Sequence, residues 1–586
     1  MGKPVYILGL SCFYHDSAAV LLRDGKIIFA AQEERYTRKK HDESFPKNAV
    51  EKALTMAGIT AADLTDVVFY EKPFLKFFER IIETQINVWP HGFIMFHRAM
   101  REWMLKKLWI PQTIKKELGF SKPILFTTHH ESHAASSYYC SGFPDAAVVS
   151  IDGVGEWATT TIGHGQGKDM KLLRAIHFPH SLGLLYSAIT YYLGFKVNSA
   201  EYKVMGLAPY GEPKYIEEMK TLIHVKDDGS YELDMSYFTY EYGLTMTGRK
   251  IEELFRHPRR QEQDDLEQCH KDIAASLQKI TEEVMLKIVA EAKRITGSQY
   301  LCLAGGVALN CTANSKIVGA KLFDDVFIQP AAGDAGGALG AALAVWHKKY
   351  GGERLPRLKN VYLGNEYADS YIESFLRNEK IPYEKMTKED IIEKTASLIR
   401  DDTVIGWFQG RMEYGPRSLG NRSIIADARK KENWQKVNKK IKFRESFRPC
   451  APTVLEQKSK EYFNLEGESP YMLLVADVHA TKRQEIPAVT HVDGSARIQT
   501  IRADQNPLYH ALVTAFERQT GCGVIINTSF NVRGEPIVES PEDALRCFLN
   551  TDMDYLVLGR FFLEKAKMPE DRLRGRDQYL ESFQRD

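Results

Sequence analysis

The sequence predicts an α/β protein of two domains, the first of them built from two copies of one strand-and-hairpin unit. Three observations carry that expectation. A strand, a hairpin and a polar turn recur about 140 residues apart. Apolar strands repeatedly end in short Gly/Asp loops that open helices, the habit of α/β folds. Near residues 355–370 the pattern is interrupted by Gly, Pro and charge, and the chain beyond becomes markedly basic, so the domains are set at 1–360 and 361–586.

Taken in order, residues 5–10 read as an apolar strand, followed by a hairpin whose turn is Arg23-Asp24-Gly25-Lys26. Asp-Gly between apolar runs is a strong hairpin signal. The second copy has strands at 146–152, 157–163 and 170–178, with its turn expected at Gly165-Gln166-Gly167. In both copies the first strand runs into a polar turn, Ser11 to Asp16 with His15 in one and Asp152-Gly153-Val154-Gly155 in the other. This duplication implies two related lobes facing across a cleft, each offering a loop to phosphates. A third loop, Gly305-Gly306-Val307-Ala308-Leu309-Asn310, joins a strand to a helix; its glycines suit close approach of a nucleotide, and equally suit a tight turn with no ligand.

The stretch His129-His130-Glu131-Ser132-His133 carries the sharpest chemistry. If residues 129–142 are helical, the i, i+4 spacing puts His129 and His133 on one face, with His130 pointing elsewhere. Alone, such a pair is more often two ordinary histidines than a metal site. Asp152 at one strand end and Asp334, after Gly333 at another, complete a mixed nitrogen and oxygen set suited to Fe, Mn or Zn and unlike a cysteine-rich structural zinc site. Residues 88–110, rich in Trp, Phe, Met and Ile but broken by charges, read as an amphipathic helix packed on the body or lining a substrate pocket.

A net charge of +1 gives no global argument for nucleic acid or membrane, so an anion site has to be local. Eight scattered cysteines without a CxxC pair read as reduced thiols, and residues 1–5 lack the apolar run of a signal peptide, so a cytoplasmic protein is expected. The local charge lies between Arg411 and Arg448, where twelve Lys or Arg stand against four acids. Lys430, Lys431, Lys436, Lys439 and Lys440 suit a solvated face; Arg417, Arg422, Arg444 and Arg448, set among Gly, Pro and Phe, suit bidentate grip on phosphate. A strand ending in Asn527-Thr528-Ser529 offers small donors for a compact polar group, and a loop upstream brings Asp493 and Arg497.

These runs, together with Tyr14 to Ala19, Gln32 to Arg35 with Lys40-His41-Asp42, Glu201 to Gly211 and Gly415 to Arg422, resemble the bacterial O-carbamoyltransferases of the nodulation protein U and tobramycin or cephalosporin carbamoyltransferase type over nearly the whole chain. The resemblance implies a duplicated actin/Hsp70-like (Kae1-like) domain followed by a YrdC-like α/β domain. It implies two steps, in which carbamoyl phosphate and ATP give carbamoyl-adenylate and pyrophosphate, and the carbamoyl group then passes to a hydroxyl of a small natural product. By the same resemblance His129, His133, Asp152 and Asp334 hold Fe(II), with Mg(II) accompanying ATP; Asp152, Gly153, Gly305, Gly306, Asn310, Gly333 and Asp334 line the nucleotide site. His15 is the expected base, and Lys40, Arg417, Lys442, Arg448, Arg497, Asn527 and Ser529 the expected contacts to carbamoyl phosphate or its adenylate. A homodimer is allowed. Two alternatives stand beside this reading, an adenylate-forming enzyme acting on tRNA or protein and a non-catalytic actin-like ATP-binding scaffold, but the missing paired CxxC motifs argue against the protein-modifying type and the near-neutral charge against the tRNA type.

Overall fold

The computed structural model describes residues 3–573 and 575–583. The chain forms two compact units: Met1–Glu33 with His41–Leu358, and Glu34–Lys40 with Lys359–Asp586. The second unit thus begins close to the boundary expected at residue 360, yet it also claims seven residues from near the amino terminus, which nothing local in the sequence signals.

In the first unit, β1 (Tyr6–Ser11), β2 (Ala18–Arg23), β3 (Lys26–Gln32), β4 (Asp66–Phe69) and β5 (Leu125–Phe126) form one sheet in the order β3-β2-β1-β4-β5. The turn between β2 and β3 places both Asp24 and Gly25 at positive φ, 49° and 78°, the conformation a two-residue hairpin requires. The second sheet holds β6 (Asp145–Ile151), β7 (Ala158–Gln166), β8 (Asp169–His177), β11 (Tyr300–Ala304) and β12 (Asp325–Ile328), in the order β12-β11-β6-β7-β8; β9 (Ile223–Val225) and β10 (Tyr231–Leu233) form a separate ribbon. In each sheet the first strand joins an antiparallel hairpin on one side and two parallel strands on the other, so the duplication is one of wiring.

The second hairpin turns later than the sequence suggests. β7 continues through Gly165 to Gln166, and the turn is Gly167-Lys168. Gly165 serves packing instead, because a Cβ there would lie 2.4 Å from the Tyr138 ring.

Between the two sheets lie the helices His129–Ser141 and Asp334–Tyr350, the first packed on the second sheet, the latter on the first, and both on each other. Gly340 makes that contact close: a Cβ there would overlap the Ser132 carbonyl oxygen. Residues 88–110 are helical over much of their length but only lightly packed on the body. The helix Phe93–Leu105 buries only Trp103, while Trp89, Phe93 and Leu105 remain 67%, 61% and 66% exposed.

The second unit is built on a nine-stranded sheet in the order β13-β21-β20-β14-β15-β19-β16-β18-β17, where β13 is Glu384–Lys385, β14 Ile405–Phe408, β15 Arg422–Asp427, β16 Ala451–Leu455, β17 Leu474–Asp477, β18 Ser495–Ile501, β19 Val524–Ser529, β20 Tyr555–Leu558 and β21 Phe561–Glu564. Its central strands are buried almost throughout, as their continuous apolar runs require. The segment Glu34–Lys40 is fastened here by Arg38, which donates to Glu535 Oε1 (2.7 Å) and to the Pro536 and Ile537 carbonyls, and by Arg35, which donates to the Gly415 carbonyl at 2.6 Å. Lys40 therefore enters the second unit, half-buried.

Candidate active site

Two helix starts and one strand end build a four-residue centre in the first unit. His129 and His133 stand one turn apart in the first turns of their helix, Asp334 is the first residue of its own helix, and Asp152 follows β6. The two Nε2 atoms are 3.1 Å apart; His129 Nε2 lies 3.2 Å from Asp152 Oδ2 and 3.5 Å from Asp334 Oδ1, and His133 Nε2 lies 3.5 Å from Asp334 Oδ1. All four residues are buried. Ligand atoms about 2.0–2.2 Å from a common ion fall at such mutual separations, so these two imidazole nitrogens and two carboxylates could hold one divalent cation.

The outer atoms of these ligands are also engaged, as metal centres require. Asp152 Oδ1 accepts from the Gly306 N–H at 2.9 Å, Asp334 Oδ2 accepts from the Tyr70 hydroxyl at 3.4 Å, and His129 Nδ1 faces Glu71 at 3.6 Å. Burial opposes ionisation of Glu71, but Lys76, 2.6 Å away, and then His129 hold its carboxyl down to about 2. His130 turns to Thr161 (3.1 Å); burial, then the charge of His129 and His133, pushes it down to about 3. Sequence reasoning missed Tyr70, Glu71 and Glu156, the last accepting from the His129 N–H at 3.0 Å, because partners so distant in the chain leave no local pattern.

His15 borders this centre. Its Nε2 lies 3.7 Å from Asp334 Oδ2 and its Nδ1 3.0 Å from Asp16 Oδ2, while Asp16 Oδ1 meets His41 Nδ1 at 2.8 Å. Against burial, Asp334 and then the Asp16 hydrogen bond hold the imidazole well above its ordinary value. Phe13 and Asp16 both sit at positive φ, 69° and 53°, so this loop is held in a conformation that non-glycine residues rarely adopt.

The glycines expected at a nucleotide are placed by two different needs. Gly305, at φ 86°, has no room for a side chain: a Cβ would lie 2.2 Å from the Ile151 carbonyl oxygen. Gly333 has open space at that position, at the start of a long helix whose N-terminus favours an anion, and Gly153 meets only Leu184 at 4.0 Å. Asn310 is largely committed: its Oδ1 caps the helix Cys311–Gly319 through the Ala313 N–H and accepts from Gln278, to which its amide also donates, so one N–H remains.

In the second unit, Lys442 is 3% exposed, and its Nζ donates to the Ser529 carbonyl (2.7 Å), Ser529 Oγ (3.0 Å) and Asn531 Oδ1. Among the described residues none of these partners is a carboxylate. Burial, then Arg444 and Arg448, lowers its pKa well below the ordinary value. Cys450 lies in the field of Arg444, Lys442 and Arg497, so these cations share a neighbourhood. Asn527, beside Ala451 in β16, donates to Gln499 Oε1 (2.7 Å) and toward the Ser418 carbonyl (3.4 Å), leaving Asn527 Oδ1 and Ser418 Oγ as buried polar atoms with no internal hydrogen bond. Arg417 sits half-buried in the same loop as Ser418.

Arg422 and Arg444 are corrections. Arg422 is fully buried, donates to the carbonyls of Gln409 (2.6 Å), Gly410 and Asn421, and lies 3.7 Å over the Phe408 ring. Arg444 donates to Asn438 Oδ1 at 2.6 Å and to the Pro449 carbonyl. Both guanidinium groups are anchored to the fold, although Arg422 Nη2 is buried with no internal hydrogen bond. The loop before Arg422 is ordered by Glu413, unnoticed in the sequence, whose Oε1 accepts the N–H groups of Leu419, Asn421 and Arg422.

Comparison with known proteins adds the chemistry. The carbamoyltransferase N-terminus family matches residues 6–343 and the carbamoyltransferase C-terminus family residues 396–565. The chain is 49% identical over 617 aligned positions to the uncharacterized protein sll1178 of Synechocystis sp., covering 99% of this chain and 100% of that one. It is 39% identical to nodulation protein NolNO of Sinorhizobium fredii over 95% of this chain and 80% of that one. With 3'-hydroxymethylcephem-O-carbamoyltransferase of Streptomyces clavuligerus it shares 33% identity over 50% of this chain and 53% of that one. With both halves matched in order, and with a buried His/Asp centre in one unit and a buried lysine among half-buried arginines in the other, the chain belongs to the carbamoyltransferase family.

Proposed function

We propose that the protein is an ATP-dependent O-carbamoyltransferase that works in two half-reactions, one in each unit. In the second unit, water releases inorganic phosphate from carbamoyl phosphate, the resulting carbamate oxygen attacks the α-phosphorus of ATP, and pyrophosphate leaves. Carbamoyl-adenylate remains. A buried amine with no carboxylate on it, Lys442, is the observation that favours an anion here, because a bound anion would hold it in the charged form that burial and its arginine neighbours disfavour. Arg448, Arg497, Arg417 and Lys40 supply further positive charge for the phosphates, with Mg(II) accompanying ATP. The amide of the carbamoyl group needs an acceptor as well as donors, and the unsatisfied Asn527 Oδ1 supplies one, beside Ser529.

In the first unit the acceptor hydroxyl attacks the carbamoyl carbon and AMP departs. His15 takes the hydroxyl proton at Nε2, its Nδ1–H held by Asp16, an arrangement that fixes the tautomer as well as the ring. Gly333 and the helix behind it, with Gly153, Gly305 and Gly306, receive the adenylate phosphate and ribose. His129, His133, Asp152 and Asp334 fit a divalent ion, for which we propose Fe(II); when bound it would balance both aspartates, return His15 toward a neutral imidazole and polarise an oxygen of the substrate. The named relatives include an O-carbamoyltransferase of a hydroxymethylcephem, which supports a small-molecule acceptor. Pyrophosphate release that requires carbamoyl phosphate, followed by a mass gain of one carbamoyl group on an added alcohol, is the expected result. Pyrophosphate release indifferent to carbamoyl phosphate would refute the scheme.

A further inference from the structure

The first unit carries two cations that the two half-reactions leave without a task. Tyr14 lies beside His15, ring centroids 4.7 Å apart, and three basic side chains gather around it. Lys76 Nζ is 4.8 Å and Lys107 Nζ 5.7 Å from the Tyr14 ring centre; Lys107 is also 5.7 Å from the Trp103 ring, and Arg80 lies 5.6 Å over Phe178 while donating to the Gly155 carbonyl at 3.4 Å. Lys76 is matched by Glu71, and Glu156 turns its carboxylate to the N–H groups of His129 and Lys72. Arg80 and Lys107, both half-buried, have no carboxylate within ion-pair reach among the described residues.

The balance of charge points the same way. Asp152 and Asp334 would be balanced by a divalent ion, Asp16 faces His15 and His41, and Lys76 is matched by Glu71, which leaves Arg80 and Lys107 against the Glu156 carboxylate, a net positive charge beside Tyr14. The field of Arg80 is felt by Tyr14, whose phenol burial would push up but which Arg80, then His15 and Lys76, pull below its ordinary value. Cations half-withdrawn from water over aromatic faces are held ready for an anion, whereas a positively charged acceptor would meet repulsion there.

We infer that the acceptor hydroxyl is carried by an anionic molecule, a carboxylate or a phosphate monoester, whose charge is bound by Lys107 and Arg80 beside Tyr14. This deepens the proposed function and rests on it. Lys107 and Arg80 select the acceptor, and they exclude amine-rich sugars and guanidinium compounds as preferred substrates.

The test uses the full-length enzyme with carbamoyl phosphate and ATP, and a panel of alcohols matched in size that carry a carboxylate, a phosphate, a neutral amide or a primary amine, read by carbamoyl mass gain. Anionic members are expected to show kcat/KM at least about tenfold above the neutral and amine members; the carboxylate and phosphate arms tell which anion is meant. Lys107→Gln should raise KM for the anionic acceptor about tenfold relative to its neutral analogue with kcat little changed, and Lys107→Arg should restore the ratio. Neutral or amine members turned over as well as the anionic ones, an unchanged ratio in Lys107→Gln, or no anionic member carbamoylated would overturn the inference. Pyrophosphate release by the unsubstituted enzyme without acceptor reports separately on the adenylation scheme.

Discussion

Replacing Lys442 by Met separates what the fold needs from what the chemistry needs. The side chain is 3% exposed, and the substitution keeps its length while removing an amine whose charged form costs several kcal/mol to bury. It also removes the donor to the Ser529 carbonyl, a loss of about 1–3 kcal/mol, whereas Ser529 Oγ still donates to Asn531 Oδ1 at 2.7 Å. Relief and loss together predict a variant as stable as its parent or more stable by about 1–2 kcal/mol, a rise of roughly 2–4 °C per kcal/mol in the melting of a unit this size. Adenylation should suffer: loss of one donor aimed at developing charge lowers rate about 10²–10³-fold. Two assays decide it, thermal melting with and without excess carbamoyl phosphate, and pyrophosphate release. The parent should be stabilised by about 2.7 kcal/mol at a hundred times the dissociation constant and the variant far less. A variant that melts several degrees lower yet releases pyrophosphate normally would refute the reasoning, by showing that Lys442 serves the fold alone.

Three further outcomes are expected from the same structure. Gly305→Ala should cost at least about 1–2 kcal/mol, because φ is 86° and the new Cβ meets the Ile151 carbonyl; since Ile151 precedes Asp152, metal content measured by elemental analysis should fall with it. In chelated protein, Asp334 and then the bond to Asp152, working against burial, hold His129 up to about 10, above its unfolded value of 6.5; that stabilisation is complete below pH 6.5 and is lost as pH rises toward 10, so the unfolding free energy from urea melts should fall with a slope of about 1.4 kcal/mol per pH unit, a fall that metal-loaded protein does not show. Trp89→Ser and Phe93→Ser, at side chains more than half exposed, should change unfolding free energy by no more than about 0.5 kcal/mol; a larger loss in denaturant melts would mean that this face is packed against something.

Much of the first unit is legible in the sequence because its signals are local. Asp24-Gly25 names its own turn, the His129/His133 spacing names a helix face, and strand ends followed by glycine place Asp152 and Asp334. Partnership at a distance leaves no such mark. Glu71, Tyr70 and Glu413 look like ordinary residues until the fold sets them on a ligand or a loop. Arg38 belongs to an apparently amino-terminal stretch, yet its partner Glu535 is some five hundred residues away. Gly165 reads as a turn because glycine is ambiguous between bending a chain and making room for a ring. Counting charges between Arg411 and Arg448 finds the right neighbourhood but does not tell Arg422, whose Nη1 is bound to backbone carbonyls, from Lys442, whose neutral partners include no carboxylate. For residues 88–110 the apolar composition suggests burial, and the structure turns much of it outward.

The measurement that bears most directly on the division of labour compares both half-reactions in two variants, His133→Ala and Lys442→Met. His133→Ala should keep carbamoyl-phosphate-dependent pyrophosphate release while carbamoylation of the alcohol drops by about 10²-fold or more, and Lys442→Met should lose pyrophosphate release first. Were His133→Ala to abolish both activities together, or to leave alcohol carbamoylation intact, the assignment of charging to one unit and delivery to the other would be wrong.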